Sequence, residues 1–531
     1  MADRNYFLGV DVGTGSVRAA LFDNTGKRLA LKDSPIKLFR PQDNFVEQSS
    51  VDIWENTCKV VRRVIQESGI AAEKINGLGF DATCSLVALG ENFKPVSLSP
   101  TTNEEQNIIL WMDHRAEAEA EEINRTGDEV LRYVGGKISP EMEIPKLLWL
   151  KRHLPGQYNK TLKFLDLPDF LVFRACGSDV RSVCTNVCKW TYLAHEKRWS
   201  KNLFKQIDLE DLFDNNRLGT EIKDLGTPAG RLSEQAAGEL ALTTKTVVAT
   251  AIIDAHAGGI GLLKENPEST LALISGTSSC HMAVNKKPLF VPGVWGPYYG
   301  AMLPGYWLNE GGQSATGALL DHVIEDSAVY QELKKQAQEE NKTVYELLND
   351  EVNQQIKKED HPTQDFHLLG YFHGNRSPRA DPHLKGMISG LSLNRTKTEL
   401  AKRYLAAIQS VAYGTRHIIE TLNKNGHKIS KINMCGGGTR NSLWLKEHAD
   451  ITGCEIQLPQ ESEAVLLGSA ILGAAASGAF DSTADAAKAM VHTGEIIKPQ
   501  KSTRIFHDKK YRVFLEMYND QVKYKDMMAN Q

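Results

Sequence analysis

Tyr6-Phe7-Leu8-Gly9-Val10-Asp11-Val12, then Gly13-Thr14-Gly15-Ser16, then Val17-Arg18-Ala19-Ala20-Leu21-Phe22-Asp23 reads as strand, turn, strand. Asn24-Thr25-Gly26-Lys27 turns the chain again, and Arg28 to Lys32 extends a third strand. This meander excludes two phosphate loops. A Walker A loop would need Gly-Lys-Ser/Thr, and a dinucleotide fingerprint would need a helix after the turn. A hairpin of small residues instead exposes backbone N–H groups in a nest that suits phosphate oxygens, and the Thr14 and Ser16 hydroxyls add donors. Asp11 at the strand end could hold a hydrated Mg²⁺, which prefers a few carboxylates plus water. A tight hairpin with an incidental Asp is the alternative.

The pattern returns later. Leu271-Ala272-Leu273-Ile274-Ser275 is a strand, Gly276-Thr277-Ser278-Ser279 a turn, and Cys280-His281-Met282-Ala283-Val284 a strand. Two such units predict two similar lobes, residues 1–261 and 262–531, divided near Gly261. Two nests, one per lobe, could clamp a polyphosphate. Gly436-Gly437-Gly438-Thr439-Arg440-Asn441 follows a strand at Ile432 to Cys435 and precedes a helix. It suits a dinucleotide or a flat shelf under an adenine.

Between these landmarks, Ser49-x-x-Asp52 caps a helix whose apolar face is Trp54, Cys58, Val61 and Ile65 and which Gly69 ends. A strand within Ile75 to Leu89 runs into Asp81-Ala82-Thr83-Cys84-Ser85. Ala116 to Ile123 predicts a solvated acidic helix, Lys334 to Asp360 a charged helical surface insertion, and Ala464 to Ala476 a packed helix.

Among 531 residues, 62 basic groups face 66 acidic ones, a net charge of −4. That argues against a nucleic-acid partner. No apolar run approaches the roughly 18–20 residues a bilayer requires, so no membrane partner is expected. Met1-Ala2-Asp3-Arg4 opens no secretory leader, and the cysteines are sparse, which reads as cytoplasmic. The eight cysteines form no CxxC pair. Cys184 and Cys188 could share a helix face, but no His spacing completes a zinc set, so they read as buried reduced thiols.

Asp254 sits at an apolar strand end beside Ala255, Ala257, Gly258 and Gly259. A partly desolvated carboxylate there could act as general base, or could serve as a helix N-cap. His256 is either a ligand or a hydrogen-bonded core histidine. Trp111-Met112-Asp113-His114-Arg115, Lys189-Trp190 and Asn309-Glu310-Gly311-Gly312-Gln313 mix aromatic and hydrogen-bonding groups that suit a polyol, or ordinary buried ion pairs.

In order along nearly the whole length, these segments resemble the FGGY carbohydrate kinases. Gly9 to Arg18 resembles their first phosphate motif, Asp254-Ala255-His256 the catalytic-base motif, and Ile274 to Ser278 the second phosphate motif. Gly370 to Pro378 is similar to a Gly-x-Arg-x-Pro segment, with Asn375 where Glu is usual. Cys435 to Asp450 resembles the adenosine motif and Glu461 to Gly473 the connecting helix.

The resemblance implies an α/β, two-lobed, actin-like ATPase (ribonuclease H-like) fold with a cleft between the lobes. It implies ATP and Mg²⁺, with Asp254 as base and Asp11 on the metal. Gly13, Thr14, Gly15, Gly276 and Thr277 would steady the phosphates, with Ser16, Arg18 and Gln313 beside them. Gly437, Gly438 and Asn441 would bind adenosine. Asp81-Ala82-Thr83-Cys84-Ser85-Leu86-Val87 resembles the Thr-Cys-Ser signature of the D-ribulokinase branch, which implies a ketopentose, first D-ribulose, on Thr83, Cys84, Asp113, Lys189 and Glu310. Ribitol, L-ribulose or xylulose remain alternatives, as does a non-catalytic nucleotide-dependent binding protein. The sequence also leaves a homodimer open.

Overall fold

The computed structural model describes residues 5–219 and 221–529, so the leader reading at residues 1–4 lies outside the described residues. The opening meander forms as expected: β1 (Tyr6–Val12), β2 (Ser16–Asp23) and β3 (Arg28–Pro35). β1 is buried along its whole length because it is central in a seven-stranded sheet. It pairs antiparallel with β2 and parallel with β4 (Ile75–Ala82), which pairs in turn with β5 (Val247–Ala249) and β6 (Ile252–Ile253).

A second seven-stranded sheet repeats this order. β7 (Thr270–Ser275) pairs antiparallel with β8 (Ser279–Asn285), which pairs with β9 (Trp307–Gln313). On its other side β7 pairs parallel with β10 (Lys431–Cys435), followed by β11 (Glu455–Pro459). The echo in the sequence is therefore an architectural repeat.

Local signals end the helices where expected. Helix α1 (Ser50–Ser68) starts at Ser49, whose hydroxyl accepts from the Asp52 N–H, and stops at Gly69, at φ 64°. Trp54, Cys58 and Val61 are buried with the strands of the first sheet. The Lys334 to Asp360 stretch departs from expectation. It is two helices, Tyr330–Glu339 and Val344–Lys358, with Leu333, Leu347, Leu348 and Val352 in the core of the second half. A period of buried Leu and Val makes this segment part of the lobe rather than an appendage.

The halves join through helix Ala464–Ala476, which crosses the first sheet although it lies late in the chain. A Cβ on Gly9 would collide with the Leu466 carbonyl, and one on Gly79 with that of Ser469. These glycines are contact surface, not turn residues. Among the described residues no helix is long and apolar enough to cross a membrane.

Candidate active site

Three adjacent strands bring three carboxylates to one end of the first sheet. Asp11 on β1 lies opposite Asp81 on β4, and Asp81 lies opposite Ile252 on β6. Two residues beyond Ile252, Asp254 opens α2 (Asp254–Leu262). Ile253 takes the N-cap position, so Asp254 is the first helical residue rather than the cap. Its Oδ1 accepts the Ala255 N–H at 2.7 Å. Burial first, and then the charge of Asp11, push the half-buried Asp254 up to about 6.

Asp11 accepts from Arg18 through Oδ2. Asp81 is fully buried. Its Oδ2 accepts from Ser469, while Oδ1 has no partner. Burial, reinforced by Asp11, pushes Asp81 well up, so it retains a proton near neutrality.

Each Gly-Thr turn is closed by one short backbone bond, Gly13 N to Ser16 O at 3.0 Å and Gly276 N to Ser278 O at 2.9 Å. The first is braced by Gln48 donating to the Thr14 carbonyl and Trp111 Nε1 donating to Thr14 Oγ1. In the second, the Thr277 carbonyl accepts from Thr316 and Ala318 N–H, and the Gly276 carbonyl from Gly317 N–H. Gly437 has no neighbour within 4 Å of a Cβ position, which leaves an open shelf after β10.

Among the residues expected to meet a sugar, Thr83 and Cys84 follow β4, and Lys189 ends helix Val183–Lys189. Buried Lys189 stays protonated: burial opposes its charge, but Cys84 and Glu310 outweigh that. Glu310, on β9, is held down at about 2; burial opposes this, and His256, Arg376 and Lys189 prevail. Two cations approach the Trp295 ring, Lys189 Nζ 5.1 Å and Arg376 Cζ 4.2 Å from its centroid. Arg376 also approaches Glu310 at 3.9 Å and Glu141 at 3.5 Å.

Four expected contacts are held elsewhere. Asp113 accepts from Val46 N–H and, at both oxygens, from Arg115, which also reaches Glu47; all three carry no exposed side-chain area. A buried carboxylate needs such pairing, and here it leaves no oxygen for a sugar. Arg18 joins Asp11 to Glu463 instead of reaching for phosphate. Gln313 donates to Val411 O and Thr415 Oγ1. Asn441 caps helix Ser442–Thr452 and donates to Tyr404.

Sequence reasoning did not single out Arg376 and Trp295, which the structure brings beside Lys189 and Glu310. Arg376 stood in the quoted Gly370 to Pro378 segment, so a signal existed. Trp295 carried none. His256 resolves as a buried hydrogen-bonded histidine, 3.1 Å from both Cys184 Sγ and Glu310 Oε2.

Comparison with known proteins agrees with this layout. Residues 6–261 match the N-terminal domain, and residues 271–477 the C-terminal domain, of the FGGY family of carbohydrate kinases. The chain is 47% identical to an FGGY carbohydrate kinase domain-containing protein of Xenopus laevis, over 99% of this chain and 98% of that one. It is 42% identical to D-ribulokinase YDR109C of Saccharomyces cerevisiae, over 91% of this chain and 73% of that one. In fold it is similar to xylulose kinase from Rhodospirillum rubrum (TM-score 0.81, 20% identity, 98% of this chain and 99% of that one). Gluconate kinase from Lactobacillus acidophilus is equally similar (TM-score 0.82, 19% identity, 98% of this chain and 100% of that one). The fold is the two-lobed actin-like ATPase fold. The chain belongs to the FGGY family of carbohydrate kinases and is a sugar kinase, a phosphotransferase that uses ATP.

Proposed function

We propose that this kinase phosphorylates the terminal hydroxyl of a ketopentose, D-ribulose first, to give D-ribulose 5-phosphate. The observation that carries this reading is Asp254, half-buried, titrating near 6, and set among Asp11, His256 and Glu310. A carboxylate raised that far is still ionised at neutral pH yet is a stronger base than an exposed Asp. The similarity to yeast D-ribulokinase supports the choice of sugar.

In this reading Asp254 accepts the hydroxyl proton as the sugar oxygen attacks the terminal phosphorus of ATP. Glu310 accepts from a sugar hydroxyl, and Lys189 donates to the keto oxygen, with Thr83 and Cys84 lining the same end. The amides of the two Gly-Thr turns hold phosphate oxygens, and Gly437 and Gly438 receive the adenosine. The protein acts mainly by positioning and by charge neutralisation, as phosphoryl transfer demands.

Asp11 would hold Mg²⁺. The donor set fits such an ion: the Asp11 carboxylate stands at the foot of the first turn, where Arg18 holds its Oδ2 alone, beside the neutral, buried Asp81. When bound, the ion would neutralise phosphate charge.

The test is coupled ADP release with D-ribulose, L-ribulose, ribitol, D-xylulose and glycerol. D-ribulose is expected to show the highest kcat/KM. A preference above ~10² for xylulose or glycerol overturns the assignment, since discrimination of that size needs dedicated hydroxyl contacts.

A further inference from the structure

Cys184, Cys188 and His256 are buried behind Glu310, and the scheme above gives them no task. Cys184 Sγ, Cys188 Sγ and His256 Nδ1 lie within 4.8 Å of one another. The two cysteines sit one turn apart on helix Val183–Lys189, and His256 sits in the first turn of α2. His256 Nδ1 is 3.1 Å from Cys184 Sγ, and His256 Nε2 is 3.1 Å from Glu310 Oε2.

We propose that His256 and Cys184 are positioning residues that fix the Glu310 carboxylate for sugar binding. This rests on the reading of Glu310 as a sugar contact. Glu310 is ionised and can only accept, so His256 must carry a hydrogen on Nε2. A Cys184 thiol donating to Nδ1 leaves that hydrogen on Nε2. A Cys184 thiolate accepting from an imidazolium leaves it there too. Either pairing with Cys184 is compatible with the Nε2–H that the Glu310 carboxylate requires.

Cys188 supports the arrangement. Burial first, and then the hydrogen bond to Cys184, push its thiol well up, so it stays protonated beside Cys184. Glu310 needs such a hold, because its chain neighbours Gly311 and Gly312 offer no side chains. With Oε2 tied to His256, Oε1 faces Arg376 at 3.9 Å, long enough to leave it open to a hydroxyl.

Steady-state kinetics of the full chain with D-ribulose and ATP provide the test. Glu310→Gln should raise the sugar KM at least tenfold with the ATP KM unchanged, as expected for loss of a charge-assisted contact. His256→Ala should raise it roughly tenfold, and Cys184→Ala about threefold, again without moving the ATP KM. His256→Gln keeps an N–H near Glu310, and Cys184→Ser keeps a donor for Nδ1, so each should recover most of the loss. The double variant His256→Ala, Glu310→Gln should be no worse than Glu310→Gln alone, because one residue acts through the other.

Sugar KM values unmoved in the His256 and Cys184 alanine variants would overturn the relay. So would losses that multiply in the double variant, or conservative variants as impaired as the alanine ones. One equivalent of zinc in the purified protein, absent from Cys184→Ser, would overturn it in favour of a metal centre. If Glu310→Gln itself leaves the sugar KM unchanged, the sugar-contact reading falls first, and the relay falls with it.

Discussion

The two Gly-Thr turns occupy equivalent places in two similar sheets, yet they are not equivalent chemically. In the first, Val12 pairs with Val17 and the next pair outward is Asp11 with Arg18. In the second, Ser275 pairs with Ser279, one residue tighter, and the next pair is Ile274 with Cys280. Beside its turn the first hairpin thus carries charge and the second does not. Asp11, Asp81 and Asp254 all stand on the first sheet or directly after it, while the second sheet offers the open Gly437 shelf and, on β9, Glu310. A repeated backbone frame leaves each copy free to specialise through one or two side chains.

The largest break in this comparison is Asp254→Asn. Its kcat should fall by ~10²–10⁴, the usual share of a general base, with ATP binding retained; unchanged sugar-dependent ADP release would refute the role. The parent protein should show the matching titration. Asp254 titrates near 6, and the working form is the deprotonated one, so kcat/KM for the sugar should rise with pH through about 6 and then level off. A flat profile from pH 5 to 8 would contradict it.

Asp11→Asn and Ile274→Val test the asymmetry itself. Losing one charge-assisted contact of ~1.5–3 kcal/mol should raise the Mg²⁺ requirement tenfold or more. Ile274→Val should cost only ~0.5–1.5 kcal/mol of stability and leave that requirement alone. Magnesium titrations of the two variants decide between a charged and a neutral hairpin.

Gly9 and Gly15 sharpen the contrast between packing and turn. Gly9→Ala drives a Cβ into the Leu466 carbonyl and should destabilise by ~1–3 kcal/mol in denaturant unfolding. Gly15→Ala meets nothing within 4 Å and should stay within about 0.5 kcal/mol. Asn441→Ala, the smallest effect, should lose a helix cap worth ~1 kcal/mol while the ATP KM stays within twofold. A larger rise in KM would return Asn441 to the nucleotide site.

Much of this was legible without coordinates. The meander, both turns, the Ser49 cap, the Gly69 stop and the packed helix at Ala464 to Ala476 all follow from periodicity and turn chemistry over a few residues. Asp254 was legible as a carboxylate at a strand end, and the structure puts it one place past the helix cap. The pairing of Asp113 was not read: its segment suits a polyol contact, and in the structure Arg115, two residues on, binds both its oxygens. Trp295 beside its two cations could not be read at all, since Lys189 and Arg376 lie far from it in sequence.

The sequence alone determined the strand–turn–strand frames, the helix ends and the two Gly-Thr turns, because backbone hydrogen bonding is satisfied locally and leaves local signatures. Only the tertiary structure decided which polar side chains are free and which are committed. Arg18, Asp113, Gln313 and Asn441 lost their freedom to distant or neighbouring partners, and His256 gained Cys184 and Glu310. The reason is physical: a buried polar group must be paired wherever the packing of strands and helices delivers it, and that packing is a property of the whole chain.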